Sequence, residues 1–528
     1  MSALTEDRRA TAAAGTRADV VIVGAGPTGL MLAAELCLGG VTPVVYDRLA
    51  EPSSIPKGNG LFGQIVSFLD YRDLLKEFRA DSAYCGPVPG FGFGPLQLEF
   101  GQVEPSPLHV LAIPQRRIEQ LLAQRLTALG GSVRRALELT GLARRGDHVA
   151  LDFRDAEGGR HQLRASYVVG CDGARSAVRK LAGISFPGIT SDEVSRIGRV
   201  RLPPSMIVAG TGEVDMPGAG RLQPMRHVKT AGGSYSIAPL ASLDKHAEPG
   251  VYIVATMEEG RVADPDAAMT LAELQESLNR VLGAELPLTD PLWLTRTVGN
   301  SRVAEQFRAG RALLAGDAAH LFGLGGSLNA GLLDAINLGW KLSARVRDEA
   351  ADGLLDSYHA ERHAAAQRTL VQTRTQRALG RDDELSVAVR DVVGELLRLP
   401  DAARLVGEMI EGSDVRYDMP GAAAGSHPLV GRLMPDVGLT VEAGATRVAE
   451  LMRAARPVLL DFTTDHRAAT VAKAWTGPVT VVMAKPLNPP APADALLIRP
   501  DGYVAWAAGP GGDGSGPGLA EALAAWCV

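Results

Sequence analysis

Gly24-Ala-Gly-Pro-Thr-Gly29 directly follows the apolar run Asp19-Val-Val-Ile-Val and opens the amphipathic segment Leu30-Met-Leu-Ala-Ala-Glu-Leu-Cys-Leu. The order is strand, tight turn, helix. In that setting Gly24 lets the backbone turn, Gly26 lets a pyrophosphate approach the main chain, and Gly29 lets helix and strand pack without a side chain between them. Pro27 and Thr28 complete the turn, and the free N–H groups of the helix end face the anion. A second apolar run, Val41-Thr-Pro-Val-Val-Tyr, ends at Asp47-Arg48. Asp47 stands close to the spacing at which an acid takes the ribose hydroxyls of a dinucleotide, capping of a loop being its other use. With both strands, the helix and the acid present, the reading is a dinucleotide-binding βαβ unit.

The remainder of the chain is too long for one core. At 528 residues it is expected to hold more than one domain. A content of 46% hydrophobic and 22% charged residues is that of a soluble globular protein, and a net charge of −6 gives no reason to expect a nucleic-acid partner. Cys37, Cys85, Cys171 and Cys527 lie far apart and form no Cys-x-x-Cys pair, so neither zinc site nor dithiol is indicated and a reducing cytoplasm fits best. The first eighteen residues lack the apolar core of a secretory signal and read as a disordered leader, and no later run reaches transmembrane length.

Downstream, Glu51 to Gly60 is a turn-rich loop in which Lys57 either places a cation on a phosphate or is a solvated lysine. From Tyr84 to Pro107 the chain is dense in Gly, Pro and Phe and reads as short strands and loops. Pro114-Gln115 precedes a helix patterned from Ile118 to Leu129 that stops at Gly130-Gly131. Two alternating segments, Val149 to Phe153 and His161 to Val169, read as a hairpin, the second strand ending at Asp172-Gly173. Residues 186–300 change to strand-like runs with many Pro and Gly breaks, interrupted by one helix near Leu271 to Leu282. A buried strand then ends on Gly316-Asp317-Ala-Ala-His320, followed by Gly323-Leu-Gly-Gly-Ser-Leu-Asn329 and a helix to about Arg347. This makes a second helix N-terminus facing an anion or a ring. Helices continue from Leu354 to about Ile410, and the tail restarts as an α/β pattern.

Four separated motifs, Gly24 to Gly29, Pro114-Gln115, Asp172-Gly173, and Gly316-Asp317-Ala-Ala-His320 with Asp334-Ala-Ile-Asn-Leu-Gly-Trp-Lys341, together resemble the single-component FAD-dependent aromatic hydroxylases. Within that family the chain is most similar to the polyketide hydroxylases with a thioredoxin-like C-terminal domain, whose ends His427 to Asp436 and Arg499 to Trp506 match. The resemblance implies an α/β fold: a Rossmann-like FAD-binding domain over 18–185 and 301–415, the latter part with a helical segment, a β-rich substrate domain over 186–300, joined by about 84–107, and a thioredoxin-like domain over 425–528. It implies that Gly24, Gly26, Pro27, Thr28 and Gly29 hold the FAD pyrophosphate, Asp47 and Arg48 the adenosine ribose end, and Lys57 the phosphates. Gln115 would meet the ribityl chain, and Asp317 the ribityl hydroxyls and phosphate. Asp172 and Gly316 lie in the same cofactor loops, and the backbone at Gly325, Gly326 and Asn329 sits beside the flavin N1 and C2 edge.

The mechanism implied is reduction of FAD by transiently bound NADPH or NADH, reaction with O2 to a C4a-hydroperoxyflavin, and hydroxylation of a polycyclic aromatic substrate in a dry cavity. Gly323, Leu324, Gly325 and Gly326 are the loop next to the ring, and no side chain is named as a catalytic base. The stretch between His320 and Asn329 departs from the family pattern: it is short and lacks the usual proline pair. Baeyer–Villiger or ring-opening oxidation, and a flavin dehydrogenase without oxygen insertion, therefore stay open. Gln64 stands where many relatives carry Arg. His359 and His363 lack a third ligand, so no metal is expected. His320 is expected to make a structural hydrogen bond, Cys527 to pack or serve a homodimer, and Arg201, Arg221, Gln223, Arg226, His227 and Tyr235 to be solvated or to line the substrate pocket.

Overall fold

The computed structural model describes residues 17–216, 220–260, 267–323, 325–351, 353–420, 427–509 and 518–527. Strand Arg17–Val23 lies inside a parallel sheet, between Val44–Tyr46 and Arg160–Gly170, with Val133–Arg134 and Ala312–Leu314 outside them. It begins within the stretch read as a leader; residues 1–16 of that leader lie outside the described residues. Val20, Val21 and Ile22 are fully buried, as expected of a strand covered on both faces. Helix Pro27–Leu38 packs against helices Gln115–Ala128 and Ser327–Val346. Pro27 occupies its first turn, where a missing N–H costs nothing. Leu137–Arg144, Val149–Asp155 and Arg160–Gly170 add an antiparallel meander to the same sheet.

A second sheet has six antiparallel strands in the order His227–Thr230, Gly233–Pro239, Val251–Glu259, Gly188–Arg201, Thr289–Val303 and His320–Leu321. Helix Leu271–Leu282, capped by Thr270 and ended by Gly283 at φ 70°, covers one face. Its Leu274, Leu278 and Val281 recur at helical spacing and meet Val200, Ile237 and Val254 in a separate core. Because side chains alternate along a strand, the neighbours of Gly198 and Thr256, both turned toward that helix, face away from it. Ile197, Arg199, Ala255 and Met257 are accordingly half-buried and make no part of the helix-side core. The last strand, His320–Leu321, ties this sheet to the Gly-Asp turn.

Residues 84–107 were expected with the substrate domain, but their strands pair elsewhere. Tyr84–Pro87 joins His109–Ala112 and Leu61–Phe62, and Gly90–Phe93 pairs with Leu96–Glu99. Phe93, Leu98, Phe100 and Val103 then pack on Leu379, Leu397, Ala403 and Ile410. The Phe residues found apolar partners on helices nearly three hundred residues later, which local periodicity does not encode.

The tail forms a mixed sheet, Thr480–Met483, Val458–Asp461, Ala495–Ile498 and Val504–Ala508, flanked by helices Arg467–Lys473 and Leu519–Trp526. Its core is continuous with that of the first sheet. Buried polar groups cross the junction. Arg499 makes a bidentate pair with Glu361 (2.7 and 2.8 Å) and also holds Asp501, while Lys341 donates to Glu361 at 2.7 Å. Arg72, paired with Glu35 at 2.7 and 2.9 Å, donates to the carbonyls of Met452 and Pro500. Gln64 accepts from the Tyr503 hydroxyl at 2.9 Å, a buried contact across the domain junction. Cys527 is buried, its thiol pushed up to about 12 by desolvation, as suits a packed rather than a reactive cysteine.

Candidate functional site

The glycine turn is shaped by two kinds of constraint. Gly24 has φ 106°, and a methyl group there would come within 2.3 Å of the Cys171 carbonyl oxygen. One at Gly29 would lie 1.9 Å from the Gly24 carbonyl oxygen. At Gly26, by contrast, nothing lies within 4 Å. Two glycines are therefore demanded by packing, and the middle one borders open space at a helix N-terminus. Asp47 accepts from Ala25 N at 2.7 Å and from Leu49 N at 2.8 Å, steadying the turn; each oxygen keeps a lone pair for a further donor. Arg48 beside it is exposed.

The other segments close on this turn. A methyl group at Gly316 would meet Thr28 Oγ1 at 2.6 Å, so the Gly-Asp turn abuts the first helix. Gln115 N donates to the Gly58 carbonyl at 2.9 Å, and Gly58 also faces Leu328 and the Gln115 amide oxygen. The Gln115 side chain donates to Glu119 at 2.9 Å. Asn329 Oδ1 accepts from Phe62 N at 3.0 Å. Asp317 is exposed at the mouth, yet the protein walls around it raise its carboxyl, an effect opposed by His320 and by Lys57. Lys57, itself exposed, thereby belongs to the same electrostatic neighbourhood. Asp172 Oδ2 accepts from Ala177 N (2.6 Å) and Val178 N (3.1 Å), while its Oδ1 is buried with no partner among the described residues, and desolvation raises this carboxyl.

The second helix N-terminus is bare. Gly325 and Gly326 have φ 108° and 88°, and no side chain caps helix Ser327–Val346. Nothing stands within 4 Å of a methyl group placed on Gly325. Gly323 N donates to Ser301 Oγ at 3.3 Å, anchoring the loop to the six-stranded sheet. Leu324 lies outside the described residues.

Beneath this loop is a buried ionic cluster in which the sequence alone suggests a role only for His320, a structural hydrogen bond. Asp334 accepts from Gly316 N at 3.0 Å, from His320 Nε2 at 2.7 Å and from Arg362 Nε at 2.7 Å. Burial alone would raise its carboxyl, but His320 and Arg362 hold it below the usual range. His320 thus has the structural bond expected of it. Arg362 continues to Tyr417 and to the Ala330 carbonyl. Asp334 was visible as part of a motif. Arg362 was not, because an arginine on an ordinary helix gives no local sign of burial.

The expected pocket residues do not assemble on one face. Arg201 pairs with Glu248, Arg221 lies near Glu213, His227 is exposed, and Tyr235 is in the helix-side core. Arg199 instead points from the open sheet face to Asn59 Oδ1 at 3.3 Å, joining that face to the Lys57–Gly60 loop. His359 accepts from Phe307 N, and among the described residues no group of His, Cys, Asp or Glu is arranged for a metal. A cavity of about 880 Å³ lies elsewhere, between Leu96, Lys229 and Arg390. Lys229 is paired with Asp382 and Arg390 with backbone carbonyls, so that cavity offers no uncommitted charge of theirs to a cofactor. No helix among the described residues is long and apolar enough to cross a membrane.

Comparison with known proteins agrees with this geometry. The description "FAD binding domain" matches residues 17–373, and "Aromatic-ring hydroxylase, C-terminal" matches residues 427–528. The chain is 38% identical over 522 residues to the 12-dehydrotetracycline 5-monooxygenase/anhydrotetracycline 6-monooxygenase of Streptomyces rimosus, covering 97% of this chain and 99% of that protein. It is 37% identical over 495 residues to a rifampicin monooxygenase of Streptomyces venezuelae, covering 93% and 95% of the two chains. A solved anhydrotetracycline hydroxylase from Streptomyces rimosus superposes with a TM-score of 0.83 at 37% identity, covering 97% and 99%.

Proposed function

Because this chain belongs to the FAD-dependent aromatic-ring hydroxylase family, we propose that it is an NAD(P)H-consuming monooxygenase that places one atom of O2 on a polycyclic aromatic, polyketide-type substrate. The observation that carries this reading is the convergence of the Gly24–Gly29 turn, the Lys57–Gln115 neighbourhood and the Gly316–Asn329 segment on one elongated cradle beside the open sheet face.

The residues fit FAD. The space over Gly26 and the bare N–H groups of Thr28 and Gly29 suit a pyrophosphate, with Lys57 adding positive charge. Asp47, with Arg48 next to it, is assigned to the adenosine ribose. The unpartnered Asp172 Oδ1 is an acceptor awaiting a donor. Gln115, Gly316 and Asp317 are assigned to the ribityl chain. The uncapped N-terminus at Gly325 and Gly326, with the Asn329 backbone one turn on, favours negative charge at the flavin N1 and C2 edge by about 0.3–2 kcal/mol, depending on burial. The Asn329 side chain already serves Phe62, so its contribution there is main-chain. Bound FAD supplies electron acceptance from a nicotinamide and activation of oxygen; the chain orients the ring, excludes water and holds the substrate. We assign that last task to the half-buried face carrying Ile197, Ala255 and Met257, and so to the region 186–300.

The test is product mass after turnover with NADPH under 18O2 across a panel of polycyclic phenols and quinones. One labelled oxygen on an intact carbon skeleton supports hydroxylation. A labelled lactone or opened ring transfers the assignment to Baeyer–Villiger chemistry, and oxidised product without label transfers it to dehydrogenation, the outcome that the short segment between His320 and Asn329 keeps in view.

A further inference from the structure

Strand Gly188–Arg201 turns Arg199 onto the open face of the six-stranded sheet, in register with Ile253 on one side and Trp293 on the other. Ile197 and Ala255 form the next pair along that face, and all five side chains are half-buried. The other arginines of the central strands that reach a carboxylate are Arg196, with Glu258 and Glu273, Arg296, with Glu273, and Arg201, with Glu248. Arg199 reaches none. Its Nη2 donates to the neutral Asn59 Oδ1 at 3.3 Å, its Nε is sealed from solvent without a partner, and its Nη1 has no partner among the described residues. Burial draws the guanidinium down, and Asp244 opposes this only from beyond ion-pair distance. A half-buried cation with most of its five donors unused is costly to keep unless something neutralises it.

We propose that Arg199 selects substrates that carry an ionised oxygen, a phenolate, enolate or carboxylate on the polycyclic frame, and fixes that oxygen where the open face meets the Lys57–Gly60 loop. The assignment rests on the reading of this face as the seat of the substrate. Ile197, Ile253, Ala255 and Trp293 offer contact to a flat ring system whatever its charge. Arg199 adds the one element there that tells an anion from a neutral isostere: an anionic oxygen gains a charge-assisted hydrogen bond at Nη1 and compensates the buried charge, whereas a neutral group leaves the cation as costly as before. Asn59 ties this cation to a loop whose Gly58 carbonyl accepts from Gln115 N, so the anchored oxygen lies on the cradle side of the face and orients the ring relative to it.

The experiment is calorimetric titration of the FAD-loaded full chain, without NADPH, with anthraquinone-2-carboxylate and anthraquinone-2-carboxamide at about pH 7.5, where the first is anionic and the second, of the same outline, neutral. The wild type is expected to bind the carboxylate tighter by about tenfold or more. Arg199→Met should bring the two affinities within about twofold, by weakening the carboxylate alone, with FAD retained. Arg199→Lys keeps the charge but loses the planar fork, and should keep part of the preference. A wild type without the preference, including one that binds neither probe, overturns the proposal, as does a preference that survives Arg199→Met. Equal weakening of both probes would make Arg199 a prop for the Asn59 loop, and loss of FAD from Arg199→Met would make the cofactor its anion; either overturns it. Binding is read without turnover, so the two readings fail separately. Labelled oxygen in product with no anion preference removes the role of Arg199 alone, whereas the preference without labelled product removes the monooxygenase reading and leaves Arg199 in place.

Discussion

Gly26 and Gly29 sit three residues apart and are constrained by different things. At Gly29 the constraint is the protein: an added methyl group collides with the Gly24 carbonyl at 1.9 Å. At Gly26 the protein leaves the space open, and on the proposed function the constraint there is the ligand. Gly29→Ala is expected to destabilise apoprotein and holoprotein alike. Gly26→Ala should leave the apoprotein melting temperature unchanged and weaken FAD by about tenfold or more, about 1.4 kcal/mol; equal effects of both substitutions on apoprotein melting would refute the distinction. Asp334 gives a second test. Asp334→Asn leaves the buried Arg362 guanidinium without its counter-charge, a loss of about 3–5 kcal/mol. Because the folded carboxyl is held below its ordinary value, the stability it contributes is complete above about pH 4 and is lost as pH falls through that lowered value. Urea unfolding as a function of pH should therefore show the gap between wild type and variant closing on acidification; a gap that widens below pH 4 contradicts the assignment.

Helix Asp356–Leu379 is the element on which both ionic clusters meet. Its Arg362 supports the Gly-Asp turn, and its Glu361, one residue earlier, receives Arg499 and Lys341. Burial opposes ionisation of Glu361, yet Arg499 and Lys341 keep its carboxyl well below the usual range. Burial draws Lys341 down to about 8 despite Glu361. Two cations and two carboxylates, Glu361 and Asp501, thus balance inside the buried junction. Arg499→Met removes one cation and leaves the others mismatched. It is expected to cost about 3–5 kcal/mol and to speed amide exchange in Ala495–Ile498 and Val504–Ala508, with the six-stranded sheet unaffected. Uniformly faster exchange everywhere would mean that Arg499 is not a local lock between the helix and the tail.

Across the molecule, the largest core and that of the six-stranded sheet divide the work, beside the smaller one that joins Phe93, Leu98 and Phe100 to the late helices. The first runs without interruption from the parallel sheet into the C-terminal domain; the second is confined to the six-stranded sheet and helix Leu271–Leu282. The first two units should unfold together, and the second sheet should open by itself at lower cost. Hydrogen exchange is expected to show matched protection for Val20–Ile22 and Val458–Leu460 and weaker protection for Gly233–Pro239. Removing residues 427–528 would bare Tyr71, Arg72, Trp340 and Glu361, so the truncated chain is expected to aggregate; a soluble, flavin-binding truncation would show the two units to be independent.

Local patterns in the chain specified much of this. The βαβ unit is legible because an apolar run, three glycines and an acid act on their immediate neighbours, and helix Leu271–Leu282 because its periodicity lies on one face. Gly325 and Gly326 announce a bare helix start by lacking side chains. What folding had to choose were the pairings between distant polar residues: Arg362 with Asp334, Arg499 with Glu361, and Gln64 with Tyr503, 439 positions away. The same choice gave residues 84–107 their partners on late helices. A charged or amide side chain looks alike in sequence whether it meets water or a buried partner, and which it meets depends on elements that become neighbours only when the sheets and helices pack.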